Sequence, residues 1–313
     1  MENQMRSRSS YTILEIDDLH NPEVLCGNSG ISGSIQLHKY DDIPAFLKGN
    51  PYVKEGYRVL LPGYLCLRSL FSWSNESINI WSHVLGCLII FFLMIYDNII
   101  GIPSLHGTKT DHVIVTIGLL CFQFCLLSSA GYHLFMCHSE KASERWLALD
   151  LNGILVGLLG CYLPGVHYAF FCMSVWRDVY LITICFLFGG LFCLQMKPKF
   201  LTARYYRLRI ILYVLICAYG IIPSLHWVWL SGGVSNPIVK FFFPKVVVEY
   251  LLAILAFTFY ISKIPERFSP GTFDFVGSSH QLWHIVVVIA FLYWHHAGKQ
   301  ILAYRISNQC TYP

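Results

Sequence analysis

Charge is what this sequence has least of. Lys, Arg, Asp and Glu make up 13% of its 313 residues, about half of the roughly 25% usual for soluble domains. A chain so poor in solvating side chains is not an ordinary soluble enzyme, and it is neither disordered nor collagen-like in composition. Basic excess is also missing. The net charge is +4, with no basic stripe and no zinc-finger spacing, so nothing calls for nucleic acid as a partner. Cys-x-x-Cys does not occur among the twelve cysteines. Exposed loops that could carry a disulfide framework are scarce. Cys87, Cys121, Cys125, Cys161, Cys185, Cys193 and Cys217 fall inside apolar stretches, where thiols act as small hydrophobes. Cys66 and Cys137 sit close to span ends, positions open to palmitoylation. A cleavable signal peptide is missing too, because the first seventy-odd residues are polar and broken by Gly and Pro. The first apolar span is therefore expected to act as an uncleaved anchor.

What the chain has in abundance is apolar: 55% of it is hydrophobic and 16% aromatic, with a mean hydropathy of +0.53. A helix needs roughly 20 mostly apolar residues to cross a bilayer. Seven stretches meet that length, near 78–98, 113–135, 146–170, 178–196, 208–230, 246–263 and 281–303. Helices are the open-ended way to satisfy every backbone group within lipid. The expected fold is an all-α membrane protein, a seven-transmembrane helix bundle.

Orientation follows from the basic residues. Sixteen Lys and Arg fall on the side of the amino-terminal tail and the even-numbered loops, against six on the other. The N-terminus is expected in the cytosol and the C-terminus in the lumen or outside. That is opposite to a G-protein-coupled receptor, and Glu144-Arg145-Trp146 opens the third span instead of closing it. The sequon at Asn75 falls on the cytosolic side and should stay bare. Residues 1–73 form a cytosolic tail, 74–304 the seven-helix domain and 305–313 a short lumenal tail. Residues 1–38 look disordered. Around 39–61, apolar residues such as Ile43, Phe46, Leu47 and Val53 recur among charges. This suits either a short amphipathic segment on the membrane surface or a folded cap beneath the bundle.

Ionisable groups inside spans are costly and each needs a reason. His133 ends the second span, Asp150 lies near the start of the third, and His280 and His284 open the seventh. With the amino end inward, all four lie at one depth near the cytosolic face. His280 and His284 are four apart and share a helical face. Three imidazoles plus a water make an open tetrahedral zinc site, with Asp150 placed to hold the water or orient a ligand. The other reading is hydrogen-bonded glue between helices. His83, a turn after Asn79 and two turns after Glu76, is read as structural. His167, His226, His295 and His296 look like scattered interfacial anchors without an acidic partner. Glu249 is placed in the first turn of the sixth span, where a helix start tolerates an acid. Gly153-x-x-x-Gly157 is read as a close helix contact within the chain.

Three stretches carry a family likeness: Ser74-Asn-Glu-Ser-Ile-Asn-Ile-Trp-Ser-His83, Ser129-Ala-Gly-Tyr-His133 followed by Asp150, and Gly277-Ser-Ser-His-Gln-Leu-Trp-His284. Together they resemble the progestin and adipoQ receptor family over roughly residues 40–304. The resemblance implies an adiponectin-receptor-like fold, seven spans with a cytosolic amino end. It implies one Zn2+ held by His133, His280 and His284, with a water held by Asp150. It also implies similarity to alkaline ceramidases, and hence a lipid amide such as ceramide as a substrate. The stretches 132–140, 223–233 and 260–267 carry a finer likeness within the family. That likeness implies residence in the Golgi membrane and a Raf kinase bound through the cytosolic tail, damping the mitogen-activated kinase cascade. Three functions follow: a Golgi scaffold that sequesters Raf, which the finer likeness favours; a zinc-dependent intramembrane hydrolase of a lipid amide; and a hormone or lipid receptor.

Overall fold

The computed structural model describes residues 35–308 and Cys310. The polar stretch before residue 35 and most of the tail beyond 308 lie outside the described residues. Among the described residues the chain is helical, with no strand beyond an isolated bridge between His38 and Tyr57.

The long helices are α1 (Ser77–Tyr96), α2 (Lys109–Phe135), α3 (Glu140–Ala169), α4 (Ser174–Gln195), α5 (Tyr206–Tyr219), α6 (Ile221–Leu230), α7 (Pro237–Ser262) and α8 (Ser279–Ser307). A π-type turn, Asp97–Gly101, continues α1 as far as Ser104, and α5 and α6 form one rod interrupted at Gly220. Six of these rods are long and apolar enough to cross a membrane. This is a multi-pass membrane protein. The stretch expected as the sixth span lies on α7, a 26-residue helix that is not among the six. It carries Lys240, Lys245 and Glu249 along its first half.

Local chemistry sets the helix starts that matter for function. Thr108 and Asp111 form a reciprocal cap at the start of α2, the Asp111 carboxylate accepting the Thr108 N–H at 2.7 Å. At α8 the Gln281 side chain accepts the N–H groups of Gly277 and Ser278, and Gly277 supplies the left-handed turn (φ 84°) before the cap. The fully buried Glu266 carboxylate receives the Ser279 N–H at 2.7 Å, placing a negative charge against the helix start. His280 and His284 are thereby fixed in register from the first turn of α8.

Small residues let α2 and α3 approach closely. A Cβ on Gly153 would lie 3.1 Å from the Ser128 Cβ, and one on Gly157 would lie 3.1 Å from the Cys125 Sγ, so the Gly-x-x-x-Gly pair packs within the chain. The tightest contact is elsewhere: a Cβ on Gly131 would fall 2.2 Å from the Trp146 ring, which stacks on Phe135. Gly131→Ala is therefore expected to force α2 and α3 apart and cost about 1–3 kcal/mol. A detergent-solubilised thermal melt checks this, and an unchanged midpoint would contradict the packing.

Residues 35–73 make short 3₁₀ turns and one six-residue helix, Gly63–Arg68. The 3₁₀ turns Tyr40–Asp42 and Ala45–Leu47 bury Ile43, Leu47, Val53 and Tyr57 against one another. The segment also clamps the loop before α8. Asp274 accepts the Lys54 and Glu55 N–H groups, each at 2.9 Å, and Asn50 donates to Glu266 at 2.9 Å. These are the contacts of a folded cap. Cys66 of the cap and Cys137, just after α2, pack together, both buried with their Sγ atoms 3.8 Å apart, which leaves neither thiol presented for acylation.

Three sequence expectations need correcting. Cys172 and Cys310 form a disulfide, although exposed loops able to carry one looked scarce; 138 residues of separation hide the pairing. His295 does have an acidic partner, Asp97, at 2.8 Å. Glu249 lies in the middle of α7, since the helix starts at Pro237 on an Asn236 cap and not near residue 246.

Candidate metal centre

α2 ends at the cap and delivers His133. α8 begins there and delivers His280 and His284 from successive turns. The three side chains meet: the Nε2 of His280 lies 3.2 Å from that of His133 and 3.1 Å from that of His284. All three ligand atoms fall within 4.8 Å of one another. A tetrahedral zinc with Zn–N bonds near 2.0–2.1 Å sets its nitrogens about 3.3 Å apart, so the spacing suits one ion.

The outer nitrogens decide the chemistry of the inner ones. His133 Nδ1 faces the Glu76 carboxylate at 2.7 Å, and His284 Nδ1 faces the Asn79 carbonyl at 3.1 Å. Both partners only accept, so both Nδ1 atoms carry the proton. In neutral rings the Nε2 atoms of His133 and His284 are then bare lone pairs aimed at a common point. That is the donor set of a metal site, with a carboxylate and a carbonyl orienting the rings from behind.

Glu76 is set at the foot of α1. Burial pushes its carboxyl up, but the His133 ring, the Asn79 amide and the Arg58 guanidinium outweigh this and hold it at about 2. It is a carboxylate at any physiological pH. Arg58, buried in the cap, donates to the His133 carbonyl at 2.6 Å and to the Ser69 hydroxyl at 2.5 Å. His83 stacks on His284 with ring centres 3.9 Å apart. Asp150 stands outside the three-histidine cluster on α3, facing Ser129 and His133.

The structure thus brings together the three histidines singled out in the sequence; Asp150, on α3, is not part of that cluster. Glu76, Arg58 and the Asn79 carbonyl were missed as parts of the centre. A signal for the first existed: Glu76, Asn79 and His83 recur at three- and four-residue steps, the spacing of one helix face. Nothing in the sequence ties Arg58 to His133.

Residues 71–295 match the family model described as haemolysin-III related. Progestin and adipoQ receptor family member 3 of mouse and that of human are each 51% identical to this chain over 277 residues, covering 88% of this chain and 89% of theirs. The chain belongs to the progestin and adipoQ receptor family. More distant similarity reaches the adiponectin receptor protein of Drosophila melanogaster, 28% identical over 88% of this chain and 62% of that protein. Within the family's matched region lie Glu76, Asn79, His83, His133, Asp150, His280 and His284; Arg58 lies outside it, in the cap. A progestin and adipoQ receptor family chain thus couples its histidine centre to a segment beyond the matched region.

Proposed function

We propose that this protein is a seven-span resident of the Golgi membrane that holds a Raf kinase at its cytosolic face and so restrains mitogen-activated kinase signalling. The likeness to family member 3, 51% identity along nearly the whole of both chains, carries this reading. The finer motifs at 132–140, 223–233 and 260–267 agree with it. α7 supplies the sixth span and brings the count to seven: its 26 residues reach about 39 Å at 1.5 Å per residue, more than the roughly 30 Å hydrocarbon core. Lys240 sits in its first turn, where a long basic side chain can snorkel to the interface.

The amino end faces the cytosol in this reading. The Cys172–Cys310 disulfide supports that side assignment: Cys172 follows α3 and Cys310 follows α8, both at the ends away from the cap. Disulfides persist in oxidising compartments. A membrane-impermeant thiol reagent is expected to label Cys310 only after reduction and only once Golgi vesicles are opened. Labelling of Cys310 in sealed, reduced vesicles would reverse the orientation.

The cap is the natural docking face for a soluble kinase, being a folded surface on the cytosolic side. The test uses the full chain with His280→Ala and His284→Ala together. Raf is expected to stay on Golgi membranes, provided the variant keeps its fold. Loss of Raf from a well-folded variant would end the scaffold reading.

A second reading is favoured by one observation, the three convergent Nε2 atoms. We propose that the centre holds a zinc ion through His133, His280 and His284. When bound, zinc supplies a hydroxide-like water at neutral pH, the reagent needed to hydrolyse a lipid amide of the ceramide type. Asp150 would hold that water, and Glu76 would fix the ring of His133. Ceramide turnover lost on adding a chelator and restored by zinc is the expected result for the hydrolase. Turnover indifferent to both would leave the metal a strut between α2 and α8.

A further inference from the structure

The cap meets the end of α2 through two thiols. Cys66 and Cys137 are 0% and 1% exposed, and their Sγ atoms lie 3.8 Å apart. The backbone around them is already joined. Leu61 donates its N–H to the Cys137 carbonyl at 3.0 Å, and His138 donates through Nδ1 to the Leu61 carbonyl at 2.8 Å. Ile35, Leu61 and Leu65 pack with the pair. Two sulfurs in van der Waals contact, on segments already bonded to each other, need only a small side-chain movement to reach the 2.05 Å of a covalent bond.

The plain reading of two buried cysteines is that they fill space as small hydrophobes. Wholly apolar surroundings raise a thiol and make it inert. These surroundings are not wholly apolar. The hydrogen bond from Cys66 and the Arg58 guanidinium outweigh burial and hold the Cys137 thiol at about 7, while that hydrogen bond and burial push Cys66 up. The pair therefore has an attacking sulfur and a proton-bearing partner. Its place in the fold also matters. Cys137 lies four residues after His133. Cys66 reaches the same histidine through hydrogen bonds: Ser69 donates to the Cys66 carbonyl at 2.6 Å, and Arg58 donates to the Ser69 hydroxyl and to the His133 carbonyl.

We infer that Cys66 and Cys137 form a reversible oxidation site, closing a disulfide that locks the cap to the end of α2. With hydrogen peroxide as the oxidant, the Cys137 thiolate attacks one oxygen and the O–O bond breaks. Hydroxide leaves with the electron pair and takes the proton the thiol gave up, forming water. Cys66 then attacks the sulfenic sulfur, the S–O bond breaks, and that oxygen leaves as a second water with the Cys66 proton. Two thiols and one peroxide give one disulfide and two waters, the sulfurs losing the two electrons that the peroxide gains. A glutathione-type thiol reverses the bond by exchange, two such thiols leaving as their own disulfide. The bond requires neither the metal nor a kinase. In the cytosolic placement proposed above the pair is reduced at rest, and cytosolic disulfides are characteristically transient sensors.

The full-length protein, purified in detergent and reduced with glutathione, is treated with hydrogen peroxide at neutral pH. It is then alkylated under denaturing conditions and its peptides are mapped by mass. A Cys66–Cys137 cross-link is expected, forming about tenfold faster than Cys87 of α1 is oxidised, and glutathione should reopen it. Because the bond closes a long loop, the oxidised chain should melt about 5 °C higher. Cys66→Ser and Cys137→Ser should each abolish that rise, and Cys66→Ser should leave on Cys137 a sulfenic acid that dimedone traps. The proposal is overturned if both thiols still alkylate once Cys87 is oxidised, if either joins a different cysteine, or if the complete bond leaves the melting midpoint unchanged. Alkylation of intact cells before lysis separates the chemistry from the topology: a bond already closed there bears out the pair and overturns the cytosolic placement of the cap. Mapping and melting use the native chain, so the result stands even if a variant fails to fold.

Discussion

Glu76→Gln is expected to weaken zinc binding by about 10- to 100-fold, the usual cost of losing a carboxylate behind a histidine ligand, and His284→Ala is expected to weaken it further. The carboxylate does two things for the centre. It holds the His133 proton on Nδ1, at 2.7 Å, and so keeps the Nε2 lone pair pointed inward. Its charge also makes the ring a stronger donor to a cation. A glutamine keeps an acceptor in place but removes the charge. The competing account, in which the histidines are hydrogen-bonded glue, runs short of protons. The Nδ1 protons of His133 and His284 are already committed to Glu76 and Asn79. His280 has one Nε2 proton at most, and two bare Nε2 atoms stand 3.2 and 3.1 Å from it. One lone pair stays unpaired unless a ring is charged or a metal is present. Competition against a chromophoric chelator, with the full chain purified in detergent, measures the affinities. Equal zinc affinity in native chain, Glu76→Gln and His284→Ala would show that these rings do not form the metal site.

The legible part of this molecule is whatever repeats or shares a depth. His280 and His284 announce themselves by a four-residue spacing on an apolar helix. His133 joins them only because successive helices alternate in direction and return to the same end of the bundle, so the order of the apolar stretches was enough to gather the three. Six of the seven expected spans reappear as long apolar helices. α7 shows where hydropathy misleads: Lys240, Lys245 and Glu249 dilute its first half, so the sequence places the helix start near residue 246 and Glu249 in its first turn. The chain starts the helix at Pro237. A proline in the first turn behind an asparagine cap is a start signal independent of hydropathy, and it was present at Asn236-Pro237. Contacts between distant segments had no such signal. Cys172 finds Cys310, Arg58 finds the His133 carbonyl and Asp97 finds His295, each through the tertiary fold alone. The cap was open between two arrangements for the same reason. Its apolar residues are spaced for burial, and what they bury against is decided by the loop around Asp274.

Asp97→Ala should be among the most damaging single changes outside the histidine centre. Asp97 is completely buried where α1 passes into its π-type turn, with Lys299 at 2.5 Å and His295 at 2.8 Å, both on α8. It therefore ties the first span to the last at the end away from the cap, while the histidine cluster joins α2 and α8 at the other end. Removing the carboxylate leaves a lysine beside an imidazole in a site built for an anion. Breaking one side of such a buried pair costs about 3–5 kcal/mol, largely because the remaining charge stays desolvated. Lys299 retains some exposure, 26% of its side chain, which favours the lower end of that range. Asp97→Ala combined with Lys299→Met removes both charges and should recover most of the loss, because an uncharged apolar pair needs no counter-ion. Denaturant titration of the detergent-solubilised protein measures the three variants, with Lys299→Met alone completing the cycle. Recovery in the double variant is the decisive outcome. If Asp97→Ala is as stable as the native chain, or the double variant is no better than the single, the cluster is not what holds α1 to α8. The far end of the bundle would then rest on the packing of apolar faces.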